Sequence, residues 1–231
     1  MAMIDVAHVR RIGVRGTALA LGAAIALGSV AVQASLLRAA AGQAQFSRLG
    51  KGKFLVASRS LRDPNFAQSV ILLVDYDEEG ALGVVVNQPT PVRLGDALPQ
   101  VDVLRERHDV VYIGGPVGRN RMMLLLRAPT EPEDSTLVFE RVYASGSLDA
   151  LRQSVQRGDG VRAYAGYAGW GPGQLDAEVA RGDWLIGPAE SALIFDARPA
   201  RVWTLLLERF SGDWAGLQPA AGRSMRAAAD G

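Results

Sequence analysis

From Lys51 onward, apolar residues gather in short runs separated by Gly, Pro and acidic clusters, the spacing of strands with a few short helices. Phe54-Leu-Val-Ala57 is the first such run, and Arg62-Asp-Pro-Asn65 is a turn. Gln68 to Asp75 is longer and apolar on both faces, which predicts a strand covered from both sides. Asp77-Glu-Glu-Gly80 turns the chain into Ala81-Leu-Gly-Val-Val-Val86, so these two runs predict a hairpin. Asn87-Gln-Pro-Thr90 stops the second strand, because Pro89 cannot donate to a ladder and biases Gln88 to extended geometry.

Leu94 to Leu98 reads as one helical turn before the charged loop Arg105-Glu-Arg-His-Asp109. Segments 109–113, 121–126 and 136–143 are rich in Val, Ile, Leu, Phe and Tyr and predict three further strands. The period then changes. Ser147 is an N-cap residue, Leu148, Leu151 and Val155 recur at helical spacing, and Gly158 supplies a left-handed stop, so 148–157 is predicted as a helix. A strand over 161–168, a short helix over 174–181 closed by Gly182, a strand over 184–186 and an amphipathic helix over 199–210 complete the body. Strands and helices do not alternate strictly. The expected class is therefore α+β, a mixed β-sheet or open β-barrel-like core with short helices packed outside, with a Rossmann-type arrangement as the weaker alternative.

The first residues differ in kind. Arg10, Arg11 and Arg15 precede an uncharged run rich in Ala and Gly that ends before Arg38, and small-residue cleavage patterns stand at Val32-Gln33-Ala34 and Gly42-Gln43-Ala44. The expected organisation is a signal peptide or N-terminal membrane anchor plus linker at 1–44, a single domain at 51–212 and a flexible tail at 215–231. This predicts an exported, periplasmic protein, or one associated with the membrane through residues 16–37. The alternative is a cytoplasmic protein whose start is mis-assigned.

Composition then removes several chemistries. Lys and Arg number 25 against 24 Asp and Glu, for a net charge of +1, so no global field draws the chain to nucleic acid, and no nucleic-acid partner is expected. Cys is absent, which excludes thiol nucleophiles, disulfides and iron–sulfur ligation. The histidines are His8 and His108, the first of them in the leader, so a His-based triad or multi-His metal site has too few members. Ile113-Gly-Gly-Pro-Val-Gly118 follows a strand but is no phosphate loop: Pro116 removes an amide and another strand follows. It reads as a tight strand connection.

Carboxylates remain. Asp75 and Asp77 sit two apart on one side of an extended segment, a geometry open to a hard cation, yet beside Glu78, Glu79 and Gly80 they read first as a solvated hairpin end. Asp176 and Glu178 lie two apart in a helix and diverge. Asp63 and Asn65 around Pro64 suggest Asx-type capping, and Asn87 at a strand end suggests a backbone cap. The stretch AGYAGWGPGQLDAEV at 165–179 sets Tyr167 and Trp170 among glycines ahead of a helix that begins near Gln174.

Five segments together carry a resemblance: GKFLVAS at 52–58, DPNFAQSVILLV at 63–74, GALGVVVNQPT at 80–90, VYIGGPV at 111–117 and GYAGWGPGQLDAEVARGDWLI at 166–186. In their order and spacing, residues 52–210 resemble the YqgE/AlgH family, also labelled UPF0301. The resemblance implies an α+β fold around a β-barrel-like sheet and carries no catalytic residue set. The family name reflects a link to regulation of alginate production. Asp75-Tyr-Asp77 stands where a His or Asn often accompanies the hairpin end, Asp176 stands where Glu is common, and the leader has no counterpart in the typically cytoplasmic members.

The expected function is a non-enzymatic binding or regulatory protein acting through a protein partner or small ligand, with Asp63, Asn65, Asn87, Tyr167, Trp170 and Gln174 as the candidate binding surface. No catalytic residue, metal or cofactor is assigned. The alternative is a carboxylate-based or metal-dependent enzyme using Asp63, Asp75, Asp77 or Glu178. A transcriptional regulator of exopolysaccharide genes ranks third, since no basic recognition helix is present.

Overall fold

The computed structural model describes residues 48–215. The expected leader at 1–44 and residues 216–231 of the expected tail lie outside the described residues. No described helix is long and apolar enough to cross a membrane.

Ten strands form a curled sheet: β1 (Lys53–Ala57), β2 (Val70–Asp77), β3 (Gly80–Val85), β4 (Pro89–Arg93), β5 (Val110–Ile113), β6 (Val117–Arg127), β7 (Ser135–Phe139), β8 (Val142–Ser145), β9 (Gly160–Trp170) and β10 (Trp184–Pro188). The main path runs β10-β1-β2-β3-β9-β6-β8-β7, while β4 and β5 form a side branch on β9. The helices are α1 (Leu94–Ala97), α2 (Leu148–Arg157), α3 (Gln174–Ala180), α4 (Ser191–Phe195) and α5 (Pro199–Ala215), with a 3-10 turn at Asp102–Leu104. Nearly every strand pairing is antiparallel, β5 with β9 being parallel, and the sheet curls into an open half-barrel. The predicted α+β class with a barrel-like core holds.

The period of two explains why β1 and β2 are buried on both faces. Phe54, Val56, Val70 and Leu72 point to the cluster that receives Val202, Leu206 and Phe210 of α5, whereas Leu55, Ala57, Ile71 and Leu73 point to a second cluster around Trp170, Leu175 and Trp184. A third cluster joins Leu151 of α2 to Leu124, Leu126, Val161 and Ala163. α2 occupies the predicted residues. Ser147 Oγ accepts from the amides of Asp149 at 3.2 Å and Ala150 at 3.3 Å, and Gly158 ends the helix at φ 77°.

β9 organises the rest. It pairs with β6 from Gly160 to Ala165 and again at Tyr167, with β5 on its other edge over Ala163 to Ala165, and from Ala168 it pairs with β3. The change of partner falls at Gly166, φ 75°, where a Cβ would stand 2.7 Å from the Gly115 carbonyl oxygen. The Gly114-Gly115 connection thus crosses β9 backbone to backbone, which is why that motif needs no ligand.

Several boundaries differ from expectation. Segment 136–143 is two strands, β7 and β8, whose turn is made by Glu140 at φ 46° with no Gly or Pro to mark it. The Asn87-Thr90 stop leads directly into β4, an edge strand paired with β5, where Pro89 needs no ladder donor. Gln68 belongs to the turn before β2, at φ 57°. α4 is too short to produce a helical period.

Candidate functional site

The signature stretch 165–179 builds a closed arrangement. Trp170 ends β9, Gly171-Pro-Gly173 makes the turn with Gly173 at φ 68°, and Gln174 opens α3. Glu178, half-buried on α3, accepts the indole N–H of Trp170 and that of Trp184 at Oε2, each at 2.9 Å. Its Oε1 accepts from Gln174 Nε2 at 3.0 Å, and Gln174 Oε1 in turn accepts the Gly171 amide at 3.2 Å. Phe66, from the DPNF turn, stacks on Trp170 at 6.3 Å between centroids and meets Trp184 edge-on at 5.8 Å. Trp170 was expected on the surface of a turn. Instead it is only 6% exposed, because its ring fills the gap between sheet and DPNF turn while its one donor is satisfied internally.

The other candidates divide between caps and surface. Asp63 Oδ1 accepts the Asn65 amide at 2.8 Å and Asn65 Nδ2 at 3.1 Å, so this exposed pair forms an Asx turn. Asn87 bridges two chain segments: Oδ1 accepts the Val70 amide at 2.8 Å and Nδ2 donates to the Gln68 carbonyl at 3.0 Å. Tyr167 is half-buried against the main core, level with the exposed Val117. Asp63 and Asn65 therefore stand at one end of the DPNF turn and Asn87 at the other, Phe66 packs the turn on Trp170 and Trp184, and Gln174 contacts Gly171 and Glu178 instead. Tyr167 stands apart from them.

The carboxylates weighed as acids, bases or ligands are engaged separately. Asp75 Oδ1 accepts the Tyr76 amide at 3.0 Å, and Asp77 Oδ1 accepts the amides of Glu79 at 2.8 Å and Gly80 at 3.1 Å, closing the hairpin. Asp176 accepts the Tyr76 hydroxyl at 2.8 Å. Partial burial raises the Tyr76 phenol above its ordinary range, and the Asp176 carboxylate raises it further. Among the described residues no group of three or more His, Cys, Asp or Glu is placed to hold a metal ion.

Sequence reasoning missed a second place. A cleft of about 460 Å³ opens between the 106–110 loop and the first half of β9, lined by Glu106, Arg107, His108, Asp109, Tyr112 and Arg162. Arg162 shares its strand face with Tyr164, whose fully buried hydroxyl has no hydrogen-bond partner among the described residues and is pushed far above its usual pKa by burial. The Arg162 guanidinium lies over the Tyr112 ring at 5.6 Å and donates to the carbonyls of Phe195 at 2.7 Å and Val161 at 3.3 Å. The signal was present: an arginine inside the apolar run Val161 to Ala168.

Comparison with known proteins places the chain in a family. The family model described as AlgH-like, DUF179, matches residues 54–215. A UPF0301 protein of Streptomyces coelicolor is 40% identical over 71% of this chain and 88% of its own length. One from Chlamydia pneumoniae is 32% identical over 74% of this chain and 93% of its own. Among solved structures, the AlgH protein of Pseudomonas aeruginosa is similar with a TM-score of 0.59 and 30% identity, covering 75% of this chain and 95% of that one. A Corynebacterium diphtheriae protein is similar with a TM-score of 0.60 and 25% identity, covering 75% and 90%.

Proposed function

The chain belongs to the AlgH-like family, and on that premise we propose that it is a non-enzymatic binding protein with a regulatory role, acting through a small ligand or a protein partner. One observation carries the reading. Asp63, Asp75, Asp77, Asp176 and Glu178, the carboxylates that an enzyme would have to bring together, are each held by different framework donors. Such groups lose their hydrogen bonds if they move to share a substrate, whereas a binding protein needs them only to shape its surface.

A thermal-shift screen of the full-length chain against small metabolites tests this, since a ligand that binds the native state raises Tm by mass action. The expected result is stabilisation without turnover. Turnover abolished by Asp75→Ala, or stoichiometric metal lost on that substitution, would overturn it. Partner capture from soluble and membrane fractions addresses the protein-partner arm.

Export or anchoring through residues 16–37 is part of the same proposal and rests on the composition of the leader. N-terminal sequencing of the native protein decides it: a first residue near Ser35 or Gln45 supports cleavage, and Met1 in the soluble fraction opposes export. Nucleic acid stays outside the proposal on the charge balance, and a mobility-shift titration at low salt is the corresponding test.

A further inference from the structure

The feature least explained by the framework is Arg162. Its guanidinium is fixed from two sides, by the Tyr112 ring and by the Phe195 carbonyl, and its Nε is buried without an acceptor among the described residues. Both of its hydrogen-bonding partners are backbone carbonyls, which are neutral. A partly desolvated cation ordinarily finds a carboxylate. One carboxylate that feels its charge is Asp196, whose acidity Arg162 increases, but both Asp196 oxygens accept from Arg127, at 2.5 Å and 2.9 Å. Two arginines thus share one carboxylate, and Arg162 is the one left over.

The opposite wall of the cleft explains what kind of anion fits. Arg107 and Asp109 neutralise each other at 2.5 Å. Glu106 stands exposed at the rim and makes no hydrogen bond or ion pair among the described residues. The cleft therefore offers one fixed cation that no carboxylate among the described residues hydrogen-bonds, beneath a rim where Glu106 repels a second negative charge. A guanidinium donates to a carboxylate in a planar, bidentate contact, and the space of about 460 Å³ falls in the range that holds a small organic molecule. Tyr112, only 5% exposed, lies beneath the guanidinium and holds it in place, while the half-buried Val110 adds an apolar wall to the cleft.

We infer that this cleft binds a small organic monocarboxylate, with the carboxylate on Arg162 and an apolar or aromatic body against Val110. This rests on the binding-protein reading and gives it a ligand class. Glu106 sets the preference for one negative charge over two, so an inorganic phosphate dianion is disfavoured although it would satisfy the same cation.

The test is a titration of the full-length chain with sodium benzoate, sodium acetate and inorganic phosphate at constant ionic strength and at about pH 8, where phosphate is mainly the dianion, read by calorimetry and by the Nε–H resonance of Arg162. Benzoate should saturate with a Kd on the order of 1 mM or below, acetate should bind more weakly, and phosphate should give no saturable response. Arg162→Lys, which keeps the charge and loses the fork, should weaken benzoate about tenfold. Glu106→Gln changes an exposed side chain without touching the core, and it should tighten benzoate severalfold. Equal affinity for phosphate and benzoate overturns the monocarboxylate assignment, and unchanged benzoate affinity in Glu106→Gln overturns the placement. A compound that stabilises the parent and Arg162→Lys equally overturns the Arg162 site while leaving the binding-protein reading intact.

Discussion

Trp170 and Trp184 donate their indole N–H groups to one and the same oxygen, Glu178 Oε2, at 2.9 Å each. Their rings meet edge to face at 6.3 Å, so a single carboxylate on α3 ties the end of β9 to the start of β10. Replacing Glu178 by Leu leaves two poorly solvated donors without an acceptor and should cost about 2 to 4 kcal/mol. Glu178→Gln keeps one acceptor oxygen and should cost about half of that. Denaturant unfolding followed by tryptophan fluorescence reads both, and equal stability of parent and Glu178→Leu would mean that the two indoles find other partners.

Asn87 behaves as a structural bridge whose two amide atoms are both used. Its Oδ1 holds the amide of Val70, a fully buried residue, and its Nδ2 holds the Gln68 carbonyl at a residue with φ 57°. Asn87→Ala should therefore destabilise by about 1 to 3 kcal/mol, visible as a lower urea midpoint with an unchanged slope. Asn87→Asp retains the acceptor but sets a carboxylate oxygen against the Gln68 carbonyl, and it should lose at least as much.

Two glycines of the signature motifs should respond in opposite ways. At Gly115 a Cβ would lie 2.3 Å from the Tyr167 carbonyl carbon and oxygen, and φ is 155°, so both space and backbone oppose a side chain. Gly115→Ala is expected to cost about 3 kcal/mol or more, because main-chain atoms cannot give way as a side-chain tip can. At Gly171 nothing lies within 4 Å of the corresponding position, so Gly171→Ala should stay within about 0.5 kcal/mol of the parent. Melting temperatures of the two variants, measured side by side, check the contrast.

What the sequence disclosed follows from which signals are local. Ser147, Leu151 and Gly158 define α2 because caps and period act within a few residues, and the alternation in β1 and β2 reports burial directly. The β7–β8 turn was hidden because Glu140 adopts a left-handed conformation that composition does not advertise. Trp170 was misjudged as surface since its cover, Phe66, comes from a distant turn, and its partner Glu178 was set aside for lacking a second carboxylate nearby. Arg162 was overlooked for a related reason. Its isolation from carboxylates is a property of three-dimensional pairing, in which Arg127 claims Asp196 first.

That competition can be followed by pH. The hydrogen bonds from Arg127 hold the Asp196 carboxyl below its ordinary value of 3.8, so the folded chain binds fewer protons than the unfolded chain in the interval beneath that value. The stabilisation from the pair is then fully present above 3.8 and is lost as pH falls through the lower native value. Because the two side chains are 37% and 54% exposed, solvent screening limits the effect to about 1 kcal/mol or less. Asp196→Asn should accordingly melt slightly below the parent at neutral pH, with a gap that stays level over about pH 5 to 8, shrinks with added salt and closes on further acidification. A gap that persists undiminished at low pH would assign the loss to the carboxylate's shape and packing instead of its charge, and Arg127 would then be no better compensated than Arg162.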